Sequence, residues 1–200
     1  MVIKGVKLSL RTYFIYLNNF WLYFLSQKAK FNYFAPMPNI VLRPITKADN
    51  PIIANVIRAV LTEFKANKPG TVYYDPTTDD LYSLFSTPLS QYWILEVDGI
   101  IAGGAGVFPT IGLPEGCCEL VKLYLLPEHR RMGYGKLMIE KCFESAQNQG
   151  FTQIYLETMP ELKNAMSLYE QCGFTYLKGP LGNSGHFGCD LWMIKEVESR

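Results

Sequence analysis

A single α/β domain built on a mixed sheet is the architecture predicted for residues 38–198 of this 200-residue chain. Three observations carry that expectation. Apolar runs of strand length alternate with segments of helical spacing, in the order β-α-α-β-β-β-α-β-α-β-β. Asp98-Gly99 stands between two apolar runs, as a two-residue hairpin turn does. Cys117 to Leu126 is almost continuously apolar, the composition of a strand buried on both faces in the middle of a sheet. No internal repeat or interdomain linker interrupts the pattern, and the length suits one domain.

Each element follows from local chemistry. Ile40 to Pro44 reads as a short strand. Asn50 can cap the helix that follows, and Pro51 fits its first turn. Ile53, Val56, Ile57, Val60, Leu61 and Phe64 then recur at helical spacing. Asn67 to Thr78 is a loop by composition, and Asp79 or Asp80 opens a short helix through Phe85. Tyr92 to Val97 and Ile100 to Phe108 are the arms of the hairpin. In the second arm Gly103-Gly104-Ala105-Gly106 weakens the strand and points to a bulge or a close backbone approach. The helix after Met132 is expected to bury Leu137, Met138, Cys142 and Ala146 and to end at Gly150. Thr152 to Glu157 is a strand, and Leu162 to Gln171 a helix stopped by Gly173. Phe174 to Lys178 and Phe187 to Val197 are the last two strands.

Charge and cysteine usage exclude some functions. The net charge of +1 argues against a dedicated nucleic-acid binder. Five of the 19 basic residues and none of the 18 acidic ones fall within residues 1–36, which leaves 14 against 18 in the remainder. The five cysteines (Cys117, Cys118, Cys142, Cys172 and Cys189) include no Cys-x-x-Cys pair, and only His129 and His186 could join them at a metal. No metal site is expected, and reduced thiols suit a cytoplasmic protein. Residues 1–36 stand apart: aromatic, basic and without a clear period. They read as an upstream extension, with translation starting at Met37, or as a signal anchor over residues 8–25 in which Arg11, Asn18 and Asn19 fit poorly. A membrane partner is expected only if that anchor is real.

The richest stretch is Arg130-Arg131-Met132-Gly133-Tyr134-Gly135-Lys136, between the central strand and the next helix. A helix starting near Met132 or Gly133 presents unpaired N–H groups and a positive dipole end, which favour an anion. The two glycines leave the backbone open, and Arg130, Arg131 and Lys136 add positive charge. By itself the stretch leaves two readings open, a phosphate cradle and a turn at a helix start. It lacks the Walker pattern, and Met138 breaks the Gly-x-Gly-x-x-Gly dinucleotide fingerprint, so a kinase-like nucleotide binder fails on its motifs.

Glu119 through Lys136 resembles the first signature of the GNAT family of N-acetyltransferases, whose [Gln/Arg]-x-x-Gly-x-[Gly/Ala] loop is matched by Arg130, Gly133 and Gly135. Ala165-Met-Ser-Leu-Tyr-Glu-Gln-Cys-Gly-Phe174 is similar to the family's second signature, Ala-x-x-x-Tyr-x-x-x-Gly-Phe. The resemblance implies a mostly antiparallel central sheet flanked by helices and acetyl-CoA as co-substrate. The cofactor's pyrophosphate would lie on residues 130–136 and its pantetheine arm along Leu123, Tyr124 and Leu125. One departure stands out: where the family often has an asparagine, this chain has Leu162, and Asn164 is out of register.

The implied reaction is direct attack of an amine on the thioester in a ternary complex; the alternative is a regulatory module that binds CoA without catalysis. Tyr169 is the candidate acid for the departing thiolate, the plainer reading being a residue packed on its helix's inner face. Glu119, at the start of the central strand, is a candidate base if burial raises its pKa; otherwise it is an ordinary strand residue or ion-pair partner. His186 in the last hairpin is a second candidate base or a hydrogen-bonded structural residue. Cys189 as an acyl carrier has no identifiable base beside it. The acceptor, a small-molecule or protein amine, would enter past Tyr73, Tyr74, Asp75, Asp79 and Asp80, acids that suit a cation or simply a helix start. Homodimerisation is left open.

Overall fold

The computed structural model describes residues 37–197, so the extension and anchor readings of residues 1–36 fall outside the described residues. Among the described residues, seven strands form one sheet: β1 (Ile40–Pro44), β2 (Gln91–Val97), β3 (Ile100–Phe108), β4 (Cys117–Leu125), β5 (Gln153–Thr158), β6 (Thr175–Tyr176) and β7 (Leu191–Glu196). Their spatial order is β1-β2-β3-β4-β5-β7-β6, and only the β4–β5 pair is parallel. The helices are α1 (Asn50–Glu63), α2 (Leu81–Leu84), α3 (Tyr134–Asn148) and α4 (Lys163–Gln171). The fold is thus the mixed, mostly antiparallel α/β sheet that the sequence predicts, with β4 at its centre.

Two apolar cores sandwich the sheet. On one face Ile53, Ile57 and Leu61 of α1 pack with Leu81, Tyr92 and Ile94. On the other, Met138, Cys142 and Ala146 of α3 and Tyr169 of α4 pack with Leu95, Val107 and Ile154. Leu137 is not part of this core: it is 36% exposed, and Tyr134 and Ile139 are buried instead. The helix begins at Tyr134, and its buried stripe runs 134–138–142–146 at a spacing of four, which turns Leu137 to the flank.

Two other expectations need correction. Asn50 is the first residue of α1 rather than its cap, because a 3₁₀ turn (Lys47–Asp49) precedes it. The Asp49 carboxylate accepts from the Thr46 N–H at 2.7 Å and ion-pairs with Arg43 at 2.7 Å. Freed from capping, the Asn50 amide donates to Asp80 at 2.6 Å and accepts from the Tyr82 N–H at 2.9 Å, tying α1 to α2. The last strands are also shorter than expected, since β6 spans two residues and β7 starts at Leu191. Between them lie four glycines and Pro180, and the backbone bonds to other loops instead. Asn183 N–H donates to Ile111 C=O and Gly188 N–H to Gly70 C=O, both at 2.8 Å.

Two features of the sheet shape the site. The β3 glycines are required by close approach: a Cβ on Gly103 would lie 2.1 Å from the Tyr124 carbonyl oxygen, and one on Gly104 would lie 2.5 Å from the Tyr92 ring. Here β4 bulges, for Gly104 pairs with Tyr124 and Gly106 with Val121, leaving Ala105 opposite both Lys122 and Leu123. Lys122 takes a φ of 52°, and the Tyr92 hydroxyl donates to its carbonyl at 2.9 Å. Second, β4 and β5 pair only from Cys117–Gln153 to Glu119–Tyr155. Beyond Glu119 the two strands part, and the sheet opens as a V.

Candidate active site

The V between β4 and β5 is the root of a cleft of about 970 Å³. Residues 119–125 of β4 form one wall, and Thr158, Met159, Leu168 and Tyr169 the other. Its outer end is the loop leading into α3. There Arg131 and Gly133 adopt φ of 62° and 84°, and the Leu137 N–H makes the first bond of the helix, to Gly133 C=O at 3.1 Å. The N–H groups of residues 133–136 therefore precede the ladder and point out of the helix start. Arg131, Gly133, Gly135 and Lys136 line the cleft; the Tyr134 side chain is buried in the α3 core and the Met132 side chain is exposed.

Arg130 also lines the cleft, and it does more than sequence reasoning gave it. Its Nε donates to the Leu125 carbonyl at 2.9 Å, and its two terminal nitrogens grip the Glu63 carboxylate at 2.7 and 2.8 Å. The guanidinium also lies 5.1 Å from the Phe64 ring centroid. Arg130 thus fastens the loop to the end of β4 and to α1.

At the inner end sits Glu119, 3% exposed. Burial pushes its carboxyl up to about 7. The Thr110 hydroxyl, which donates to it, opposes that shift; the Glu157 carboxylate nearby adds to it, and the charges of His186 and Lys122 moderate it. Glu157 accepts from the Tyr155 hydroxyl at 2.8 Å and from the Ser184 hydroxyl at 2.6 Å.

A second cavity of about 440 Å³ opens between the loop after α1 and the β6–β7 loop. Leu84, Phe108, Ile111, Val121 and Phe187 give it apolar walls, and Tyr74 and Asp75 line it from the loop before α2. Glu119, Val121, Lys122 and His186 line both cavities, so the two meet at Glu119. Asp75 holds this junction together. Its carboxylate takes the Lys122 ammonium at 2.7 Å and lies 3.3 Å from His186 Nε2. Burial alone would raise its pKa, but the bonds from His186, Lys122 and Thr77 outweigh that and hold it well below the usual carboxylate range.

The structure therefore gathers Glu119, His186 and Tyr169 around one cleft. Tyr169 is 6% exposed and packs edge-on to Phe174, and burial pushes its phenol well above the ordinary value. Of the acidic acceptor loop, Tyr74 and Asp75 reach a cavity. Asp79 instead pairs with Arg58 at 2.6 Å, and Asp80 caps α2 by accepting from the Ser83 N–H. Cys189 lines the cleft, but burial pushes it up to about 12, so it is a thiol at neutral pH and no ready nucleophile. Among the described residues no cluster could hold a metal ion. Sequence reasoning missed Thr110, Lys122, Glu157 and Ser184. Glu157, an acid at the end of a strand, and Lys122, a cation inside an almost continuously apolar one, carried some signal.

The sequence profile of the Acetyltransferase (GNAT) family matches residues 57–174. The chain is 42% identical over 159 residues to the uncharacterized N-acetyltransferase YjgM of Escherichia coli K12, covering 78% of this chain and 95% of that protein. Among solved structures, a GNAT-family acetyltransferase from Staphylococcus aureus Mu50 superposes with a TM-score of 0.71 at 18% identity, covering 80% of this chain and all of that one. YncA, a putative acetyltransferase from Salmonella typhimurium solved with its cofactor acetyl-CoA, gives a TM-score of 0.63 at 18% identity, covering 81% and 96%.

Proposed function

The chain belongs to the acetyltransferase (GNAT) family and is an acetyl-CoA-dependent N-acetyltransferase, and on that premise we propose how its two cavities divide the reaction. The larger cleft takes acetyl-CoA, and the smaller one delivers a small-molecule amine to Glu119. The observation that carries this reading is the junction itself: a buried carboxylate with a pKa lifted near neutrality stands where the two cavities meet.

The cleft's chemistry fits a CoA thioester. The Thr158 hydroxyl is buried on the cleft wall without a hydrogen-bond partner, as a group awaiting a polar ligand would be. A Cβ on Gly133 would meet no atom within 4 Å, so the backbone there is open to a bulky anion. Arg131, Lys136 and the N–H groups of residues 133–136 would hold the pyrophosphate. The β4 edge at Leu123, Tyr124 and Leu125, left unpaired by β5, would hold the pantetheine amides. Acetyl-CoA, when bound, supplies an acyl group activated on sulfur.

The chain's own residues then manage protons. An alkyl amine with a pKa of about 10.4 is mostly protonated at pH 7. Against the Glu119 value of about 7, moving that proton costs about 4–5 kcal/mol. The apolar walls of the smaller cavity reduce this cost by destabilising the ammonium. Glu119 takes the proton, and Tyr169 donates one to the departing sulfur. His186, tethered to Asp75, serves as a wall of the junction rather than as the base.

The test is release of free thiol from acetyl-CoA across a panel of amines, followed by Glu119→Gln. We expect thiol release with at least one small amine and an acid limb of kcat/KM near pH 7. Glu119→Gln should flatten that limb and lower kcat/KM about 100-fold. A limb that survives in Glu119→Gln removes Glu119 as base. Acetyl-CoA binding without thiol release on any amine would favour a binding-only module.

A further inference from the structure

We propose that Glu157 is the acceptor-binding carboxylate of this enzyme, seating the substrate as an ammonium beside Glu119 before the proton is taken. This rests on the reading of the junction as the acceptor site. Glu119 and Tyr155 form the last register pair before β4 and β5 part. Strand alternation places Glu157, two residues on, on the same face as Tyr155 and Glu119, and both glutamates line the cleft.

The fixing of Glu157 is specific. Tyr155 of its own strand bonds one carboxylate oxygen, and Ser184 of the β6–β7 loop bonds the other. Both partners are neutral hydroxyls, and so is Thr110, the partner of Glu119. Among the described residues no lysine, arginine or histidine lies within 4 Å of either carboxylate. The nearby Lys122 ammonium is committed elsewhere, to Asp75 at 2.7 Å, and the His186 ring lies against the same carboxylate at 3.3 Å. Two acids are thus oriented without an ion-paired cation on either: Glu119 stands where the apolar cavity meets the cleft, and Glu157 lines the cleft beside it, its partner Ser184 lining the cavity. A primary ammonium on an apolar body complements that arrangement. A free amino acid would bring a carboxylate against two acids, with Lys122 already paired.

The step balances simply. The ammonium hydrogen-bonds to Glu157 and passes one N–H proton to a Glu119 carboxylate oxygen, giving a neutral amine and a carboxylic acid. The amine lone pair is then free for attack. Thr110 donates to Glu119, and the titratable groups coupled to it are Glu157 and Tyr155 from β5, Cys117, Cys118 and Lys122 from β4 (Lys122 paired to Asp75), and His186 and Cys189 from the β6–β7 loop. Of these, the Glu157 charge is the nearby influence that raises Glu119.

Glu157→Gln separates charge from shape. With 2-phenylethylamine, an ammonium at pH 7, kcat/KM should fall at least about tenfold. With aniline, neutral at pH 7, the loss should be several-fold smaller, reflecting only the lowered Glu119 pKa. Acetyl-CoA affinity by calorimetry should be unchanged, which also shows that the variant is folded. Carboxyl NMR titration should show the Glu119 pKa lowered in Glu157→Gln, because a like charge has gone. Ser184→Ala, which keeps the charge but loosens it, should give a smaller loss confined to 2-phenylethylamine. Equal losses for both amines, no loss for either, or an unmoved Glu119 titration would overturn the proposal. Failure of the Glu119 assignment would show differently, as a missing acid limb in the parent enzyme.

Discussion

At pH 7 the phenol of Tyr169 keeps its proton, and so does the thiol of Cys189 in the same cleft, because burial disfavours both anions. This bears on the proposed acid. In water a phenol, at about 10, is a weaker acid than a thiol, at about 8.5. Burial in the cleft disfavours a sulfur anion as it disfavours a phenolate, and Cys189 is raised chiefly for that reason, with the Glu157 and Glu119 charges adding to it. Tyr169 therefore holds the proton it would donate. Tyr169→Phe should therefore lower kcat about 10- to 100-fold while leaving the KM for acetyl-CoA within about twofold. Because the ring and its contact with Phe174 remain, the melting temperature should hardly move. Steady-state kinetics and a thermal melt on one preparation check both halves.

At the scale of elements, the β3–β4 contact is where sequence most tightly limits structure. Gly103→Ala would set a methyl 2.1 Å from the Tyr124 carbonyl oxygen, which is backbone and cannot swing away. We expect a loss of about 2–4 kcal/mol in a urea titration and weaker acetyl-CoA binding, since residues 123–125 must shift. Gly99→Ala, at a φ of 79° with open space around its Cβ, should cost only about 1 kcal/mol. The glycine run announced a close approach in the sequence, and the Asp98-Gly99 turn and the central strand were equally legible, because each is decided by adjacent residues. The parting of β4 and β5 was not, since it depends on how far two strands 36 positions apart stay in register. Nor was the Arg130–Glu63 grip, whose partners are 67 positions apart. The junction is harder still. Thr110, Glu157 and Ser184 come from three separate segments, and no spacing rule connects them.

For the whole molecule, the junction sets a conflict between stability and activity. Glu119 titrates at about 7 when folded, against an ordinary value of 4.5. Between those values the folded state holds more protons than the unfolded state, so stability falls as pH rises, by about 3 kcal/mol across the window. Asp49 works in the opposite sense. The Arg43 bond lowers it from 3.8 to about 2, so its contribution is present above 3.8 and lost as pH falls through 2. The melting temperature should therefore peak near pH 4–5 and decline toward pH 8, and Glu119→Gln should flatten the decline. Calorimetry across that range, parent against variant, checks the sign. The enzyme would then work best where its fold is past its most stable. The V in the sheet has one more consequence. Amide hydrogens in the central strand of a sheet are ordinarily among the slowest to exchange with deuterium. Here the strand at the centre has one edge uncovered past Glu119. Some of its amides should label within the time that surface loops do, and the proposed seat for the pantetheine arm predicts that adding acetyl-CoA slows them sharply.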